Sequence, residues 1–338
     1  MKNHNNSNIL ESPEFRMAII AISVFVLMSL LSPERFLSSQ NIISMAFQFP
    51  EFAILALAMT IVMLTGGIDL SVVGISNFTA VVAAIILTQF ASPDMSLQAS
   101  ILWYGGAIFA ALILGAVCGY TNGILVAYLG LPPILATLGS GLVFTGFAVA
   151  LTGGSAVMGF PEVVAWLGNE RLLGIPVPLI IFIVLAFGLH ILLSRTSFGL
   201  KITMYGANPL AAFFAAIDIN RMLIKVYVVS GMLSAIAGLV IMSRANSAKA
   251  DYGSSYLLLA ILIAVLGGVN PYGGYGKIIG VVLAVLSMQF LSSGLNMLQV
   301  SNFARELIWG SLLIIVMIIN STNWIKQKKN AIKPIKSS

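Results

Sequence analysis

Residues 95–161 read MSLQASILWYGGAIFAALILGAVCGYTNGILVAYLGLPPILATLGSGLVFTGFAVALTGGSAVMGFP, with no Asp, Glu, Lys or Arg. A bilayer core needs ~20 apolar residues per helical crossing, so this stretch alone holds at least two. The rest of the chain repeats the pattern: of 338 residues, 59% are hydrophobic and 8% charged, and mean hydropathy is +1.02. A soluble domain carries about 25% charged residues, and a chain this poor in charge cannot cover a water-facing surface. An ordinary soluble enzyme, a disordered tail protein and a DNA-binding domain are excluded. The net charge of +6 comes with only 17 Lys and Arg, too few for a basic face, so it reads as membrane orientation rather than nucleic-acid binding. The one cysteine, Cys118, excludes a disulfide framework or a Cys-based metal site and reads as a small core residue.

Charge-free windows cut by Gly and Pro clusters predict an all-α polytopic membrane protein of about ten spans. They fall at 17–32, 46–64, 71–90, 99–126, 134–152, 175–193, 222–243, 255–268, 277–295 and 305–321. The segment 255–268 is short for a full crossing. A β-barrel needs strands that alternate apolar and polar, and 179–189 does not alternate. The polar start, 1–16, reads as a cytoplasmic N-terminal tail with no cleavable signal peptide. The permease-like body spans 17–321 and a basic cytoplasmic tail follows at 322–338. With the N-terminus inside, twelve Lys and Arg fall in cytoplasmic segments and five outside, the sign of the positive-inside rule. A multi-pass protein of the inner membrane is expected, with the lipid bilayer as its solvent.

Proton-coupled carriers bury carboxylates or histidines at mid-membrane. Here Glu51, Asp69, Asp94, Asp218, Asp251 and Glu306 all fall at predicted span ends or in loops, and His190 lies near a span end. The Gly-rich stretch 267–280, GGVNPYGGYGKIIG, is no phosphate loop: Pro271 replaces the first Gly, and Ile278 follows Lys277 where Ser or Thr is needed. A backbone-built sodium site would leave no such trace, so a sodium-coupled secondary carrier stays as an alternative. The chain has no engine of its own, which makes a separate energising subunit attractive. The longest cytoplasmic connection, 194–221, offers a docking point. Asn208–Pro209 is a helix-start signal, and a short helix 209–216 would carry Phe213 and Phe214 outward. Docking of a soluble partner and burial in the membrane interface are the two readings of that helix.

These segments resemble the permease subunits of bacterial ATP-binding-cassette importers for monosaccharides, the group that includes ribose, xylose, arabinose, rhamnose and autoinducer-2 systems. The carriers of the resemblance are GGIDLSV at 66–72, PILATLG at 133–139 with TGG at 152–154, and Phe198, Gly199, Gly206, Asn208, Ala211 and Ala212 of the long loop. Leu266–Gly268, Gly273, Gly274, Gly276, Gly280 and Gly294–Leu295 follow. Val73 adds a residue before Gly74, Ala216 replaces a Gly before Ile217, and Thr145 stands where a basic residue is common; these departures bear on subgroup and substrate. The resemblance implies a non-catalytic subunit without cofactor. It would work with a cytoplasmic ATP-binding subunit that holds the ATP, a second permease (identical or paralogous) and a substrate-binding protein. It makes Gly206, Asn208, Ala211, Ala212 and Asp218 the coupling element, and Gly66, Gly67, Asp69 and Ser71 the signature and gate candidates. Branched-chain amino-acid or nucleoside permeases have similar signatures and stay as alternative substrates.

Asp69 has two readings. One is a cap that accepts hydrogen bonds from orphan donors of the following span; the other is a gate. Gly115, Gly119 and Gly123 form one small-residue ridge, as close helix packing requires. Trp103, Tyr104, Trp166, Trp309 and Trp324 lie near predicted boundaries, as interfacial aromatics do; Trp309 has facing the pathway as its second reading.

Overall fold

The computed structural model describes residues 13–91 and 95–331. The first twelve residues, Asp94, and Lys333 and Lys336 of the basic tail lie outside the described residues. The chain runs α1 (Pro13–Leu31), α2 (Pro33–Phe36), α3 (Ser39–Met63), α4 (Val72–Phe90), α5 (Leu97–Ala127), α6 (Pro133–Thr152) and α7 (Val163–Asn169). Strands β1 (Arg171–Leu172) and β2 (Ile175–Pro176) follow. The remaining helices are α8 (Val177–Arg195), α9 (Ser197–Ala207), α10 (Pro209–Phe214), α11 (Ile219–Ala245), α12 (Tyr256–Leu266), α13 (Ile278–Met297) and α14 (Asn302–Ala331). Among the described residues, eight helices are long and apolar enough to cross a membrane. The other two predicted spans are α12, which is short, and α14.

Local chemistry sets the helix starts. Ser38 accepts a hydrogen bond from the Asn41 N–H, Ser96 from Ala99, Thr196 from Gly199, Asn208 from Ala211 and Asp218 from Arg221, each satisfying one orphan donor. Proline occupies the first turn of α2, α6 and α10, where its missing N–H costs nothing.

Helices α3 and α11 form the centre and are the most buried spans, while α1, α5, α6 and α8 present broad apolar faces outward. Ile22, Leu30, Leu102, Leu142 and Phe187 are among the exposed large side chains, which is the surface a lipid solvent requires. Helices α5 and α11 cross through the predicted glycine ridge. A Cβ on Gly115 would sit 2.6 Å from the Gly231 carbonyl oxygen, and one on Gly123 would sit 2.7 Å from the Ile224 Cα; one on Gly119 would overlap the Tyr227 carbonyl. Cys118 is buried on the same helix, as expected.

Helix α12 explains the short eighth span. Eleven residues rise roughly 16 Å, about half of a ~30 Å hydrocarbon core. The irregular segment 246–255 precedes it and is pinned to the bundle. Its Ala250 and Tyr252 carbonyls accept hydrogen bonds from Asn77 Nδ2 of α4, at 2.9 Å each. Backbone carbonyls outside regular structure need donors when they are buried, and here Asn77 supplies one for both.

Several expectations are corrected. Helix α3 begins at Ser39 rather than 46, because the Ser38 cap starts it earlier. Glu51 therefore lies midway along a span and is buried, not at a span end. The long loop is mostly helical, as α9 and α10, and α10 stops at Phe214 rather than 216 because Ala216 turns to φ +55°. Tyr104 is buried and donates to the Val164 carbonyl at 3.3 Å, so it ties α5 to α7 rather than anchoring an interface. Trp309 is buried as well.

Candidate functional site

The motifs separated in sequence meet at one end of the bundle. Beyond α3 the chain turns through Gly66, held at φ +82°, a conformation that costs glycine little. The Leu64 carbonyl accepts a hydrogen bond from Gly274 N–H at 3.0 Å. A Cβ on Gly273 would lie 2.7 Å from the Gly66 nitrogen and 2.9 Å from the Gly206 Cα. One on Gly206 would overlap the Leu64 carbonyl and the Gly274 nitrogen. Three connections, α3–α4, α9–α10 and α12–α13, thus touch backbone to backbone, and only glycine fits at their meeting point. Gly67 faces Pro133 of α6 and the Tyr227 hydroxyl of α11, with 3.2 Å and 3.3 Å available to a Cβ.

Asp69 lies just inside this glycine knot and has no exposed surface. Its Oδ1 accepts from the Ser71 N–H at 3.0 Å and the Ser71 hydroxyl at 2.5 Å; its Oδ2 accepts from the Ser230 hydroxyl of α11 at 2.8 Å. Ser71 Oγ in turn accepts from Asn122 Nδ2 of α5 at 2.7 Å. The Leu70 N–H donates to Thr137 Oγ1 of α6 at 2.9 Å. Burial pushes the Asp69 carboxyl above the usual carboxylate range, and the hydrogen bonds from Ser71 and Ser230 oppose that shift. The α3–α4 connection is therefore stitched to α5, α6 and α11 by side chains and to α9–α10 and α12–α13 by backbone. PILATLG enters through Pro133 and Thr137, which motif reading did not link to Asp69.

The α9–α10 connection carries the other predicted group. Asn208 Oδ1 caps α10 through the Ala211 N–H at 3.1 Å, and Ala212 is buried beneath it. Ala211 lies in the first turn of the same helix. Phe213 and Phe214 stack edge to face at 5.8 Å and are 65% and 83% exposed. Asp218 caps α11 and pairs with Arg221 at 3.0 Å on the surface. Gly206, Gly66 and Gly67 thus join one cluster with Asp69 and Ser71, whereas Asp218 stands apart from it at the start of α11.

The opposite half of the bundle is held by side chains. Glu51 Oε1 accepts from Arg244 Nη1 at 2.9 Å, Glu51 Oε2 accepts from the Tyr256 hydroxyl at 2.8 Å, and Arg244 Nη1 also donates to the Phe47 carbonyl at 3.3 Å. Helix α7 packs over the end of α11, where Ser243 Oγ donates to the Val164 carbonyl and Asn169 Nδ2 donates to Ser243 O at 3.2 Å. The β1–β2 hairpin turns through Leu173 at φ +53° and Gly174 at φ +84°, the left-handed pair that a two-residue hairpin demands. Its Arg171 lies over the Phe47 ring at 5.7 Å.

The family model for the branched-chain amino acid transport system / permease component matches residues 41–319. The autoinducer 2 import system permease protein LsrD of Photorhabdus temperata is 34% identical over 94% of this chain and 96% of its own length. The protein of the same name from Escherichia coli O9:H4 (strain HS) is 35% identical over 93% and 94%, and that of Yersinia enterocolitica is 34% identical over 89% and 92%. No solved structure gives a significant match. The match spans the knot, the α9–α10 connection and every helix from α4 to α13, and the chain belongs to the permease-component family of the branched-chain amino acid type, as an all-α, multi-pass protein of the inner membrane.

Proposed function

We propose that the chain is a permease subunit of an ATP-driven importer that passes autoinducer 2 or a monosaccharide of similar chemistry across the inner membrane. The observation that carries this reading is the mounting of α10. Two exposed phenylalanines stand on a short helix whose preceding residues, Gly206 and Ala207, are wedged against Gly273, Gly274 and Leu64. An apolar knob in water calls for a protein partner, and a push on this one reaches the spans through backbone rather than through flexible side chains. In this reading the knot faces the cytoplasm. A cytoplasmic ATP-binding subunit receives Phe213 and Phe214 and holds the ATP. A second permease, identical or paralogous, completes the pathway, and a binding protein delivers the substrate. The chain itself is non-catalytic and needs no cofactor. The names of the LsrD relatives favour autoinducer 2 over the amino acids of the family's description.

Co-expression with the ATP-binding subunit tests this. The wild-type chain is expected to co-purify with it. The Phe213→Asp/Phe214→Asp variant is expected to insert and melt like wild type but to lose the partner, because both side chains are exposed and contribute little to the fold. Full ATP-dependent uptake by that variant would contradict the reading.

A further inference from the structure

The β1–β2 hairpin presents a bare apolar tip. Leu172, Leu173 and Ile175 are 50%, 96% and 46% exposed, and Leu173 is held at φ +53°, where a bulky side chain is rarely placed. The depth of the tip follows from the two helices that hold the hairpin. Helix α8 starts directly after β2, and its 19 residues run to Arg195 on the knot side, a rise of roughly 28 Å. Helix α3 ends at Met63 beside the knot, and Phe47, whose ring lies under Arg171 at 5.7 Å, is roughly 24 Å back along it. Both lengths fall just short of a ~30 Å hydrocarbon core. With the knot at one boundary of the core, the hairpin stands at the other, and any helix tilt sets it deeper. Its neighbours suit that level. Trp166 of α7 is half exposed, as aromatics of the membrane edge are. Arg171 pairs with no carboxylate among the described residues, and a basic side chain beside apolar ones belongs at head-group level. Helix α8, which the hairpin opens, presents Ile183, Val184 and Phe187 outward, so the tip extends a surface that already faces lipid. Its turn backbone needs water and stops it at the acyl boundary.

We propose that the β1–β2 hairpin is a lipid anchor, with Leu172, Leu173 and Ile175 inserted into the acyl boundary of the leaflet remote from the knot. The occupant is phospholipid, because a soluble protein arriving from water does not reach side chains at that depth. What the anchor holds is the far end of α11. Helix α7, which leads into the hairpin, sets Gly168 against the backbone of Ser243 and Arg244 with no room for a Cβ, and Arg244 carries the ion pair to Glu51. Lipid contact at the tip thus steadies, through backbone, the end of one of the two most buried spans. The proposal rests on the bilayer and is independent of the importer reading.

Fluorescence quenching of the full chain in nanodiscs of phosphatidylethanolamine and phosphatidylglycerol tests this. Leu173→Cys is labelled with an environment-sensitive dye in a Cys118→Ser chain, where it is the only cysteine. The position is 96% exposed, so the label displaces no packing. Phe187→Cys in the same background, midway along α8 and 65% exposed, calibrates depth. A lipid nitroxide near the head group is expected to quench the dye at 173 more strongly than one near the end of the acyl chain, and more strongly than iodide in the water. At 187 the order of the two lipid nitroxides is expected to reverse. Any other order at 173 overturns the proposal. Quenching chiefly by iodide puts the tip in water, open to a delivery protein. Silence to iodide and to both lipids means that another protein chain covers it. Quenching chiefly by the deep nitroxide puts the hairpin inside the core and not at its boundary.

Discussion

The two halves of this bundle are joined by different means. At the knot, three connections meet through glycine backbones, and Asp69 beside them is sealed and hydrogen-bonded through both carboxylate oxygens. In the other half, long side chains meet: Glu51, Arg244 and Tyr256 form a network of hydrogen bonds and an ion pair. Backbone contact has almost no give, because close-packed main chain cannot re-rotamer, so it passes displacement on. Side-chain contact can change rotamer and repack. The first arrangement is rigid and the second can repack.

The sharpest way to break this contrast is to put one methyl group into the knot. Gly206→Ala would drive a Cβ into the Leu64 carbonyl and the Gly274 nitrogen. The expected result is loss of transport and of normal membrane abundance, a destabilisation of more than about 4 kcal/mol. Gly139→Ala, whose Cβ meets nothing within 4 Å, is the control and should melt at or above wild type, since alanine favours a helix over glycine by about 1 kcal/mol. In the other half, Arg244→Met leaves Glu51 with a buried, unpaired carboxylate and should cost about 3–5 kcal/mol. Adding Glu51→Gln should return much of it, and a double-mutant cycle of unfolding in detergent reads the difference.

Asp69→Ala separates the two readings of that residue. Three hydrogen bonds to a buried carboxylate tie the α3–α4 connection to itself and to α11, so a loss of about 3 kcal/mol is expected, read as reduced abundance in the membrane. Normal abundance with lost transport would instead make Asp69 a gate. The smallest effect belongs to Asn208→Ala. Removing the α10 cap should cost about 1 kcal/mol, confined to α10 and visible as faster hydrogen exchange there with the global Tm unmoved.

Much of this was legible in the chain. Charge-free windows located the spans because lipid leaves a helix no other composition. The Asn208–Pro209 pair located the start of α10 because capping is local chemistry. What was hidden depends on tertiary placement. Glu51 falls near the start of a span that begins at 46, whereas the Ser38 cap starts α3 at Ser39 and leaves Glu51 midway along it. The partner that allows Glu51 to be buried, Arg244, lies 193 residues away, beyond any local pattern. Helix α9 was missed because its two glycines, Gly199 and Gly206, read as loop, yet both are glycine because neighbouring backbone leaves no room for a Cβ. The glycine motifs were visible one by one; that they touch was not.

Reconstitution into proteoliposomes tests the central claim most directly. Uptake of autoinducer 2, or of a neutral monosaccharide, should require the ATP-binding subunit and ATP, and should vanish with Phe213→Asp/Phe214→Asp while the variant remains inserted and folded. Uptake by this chain alone, driven by a sodium gradient and indifferent to ATP, would contradict the account.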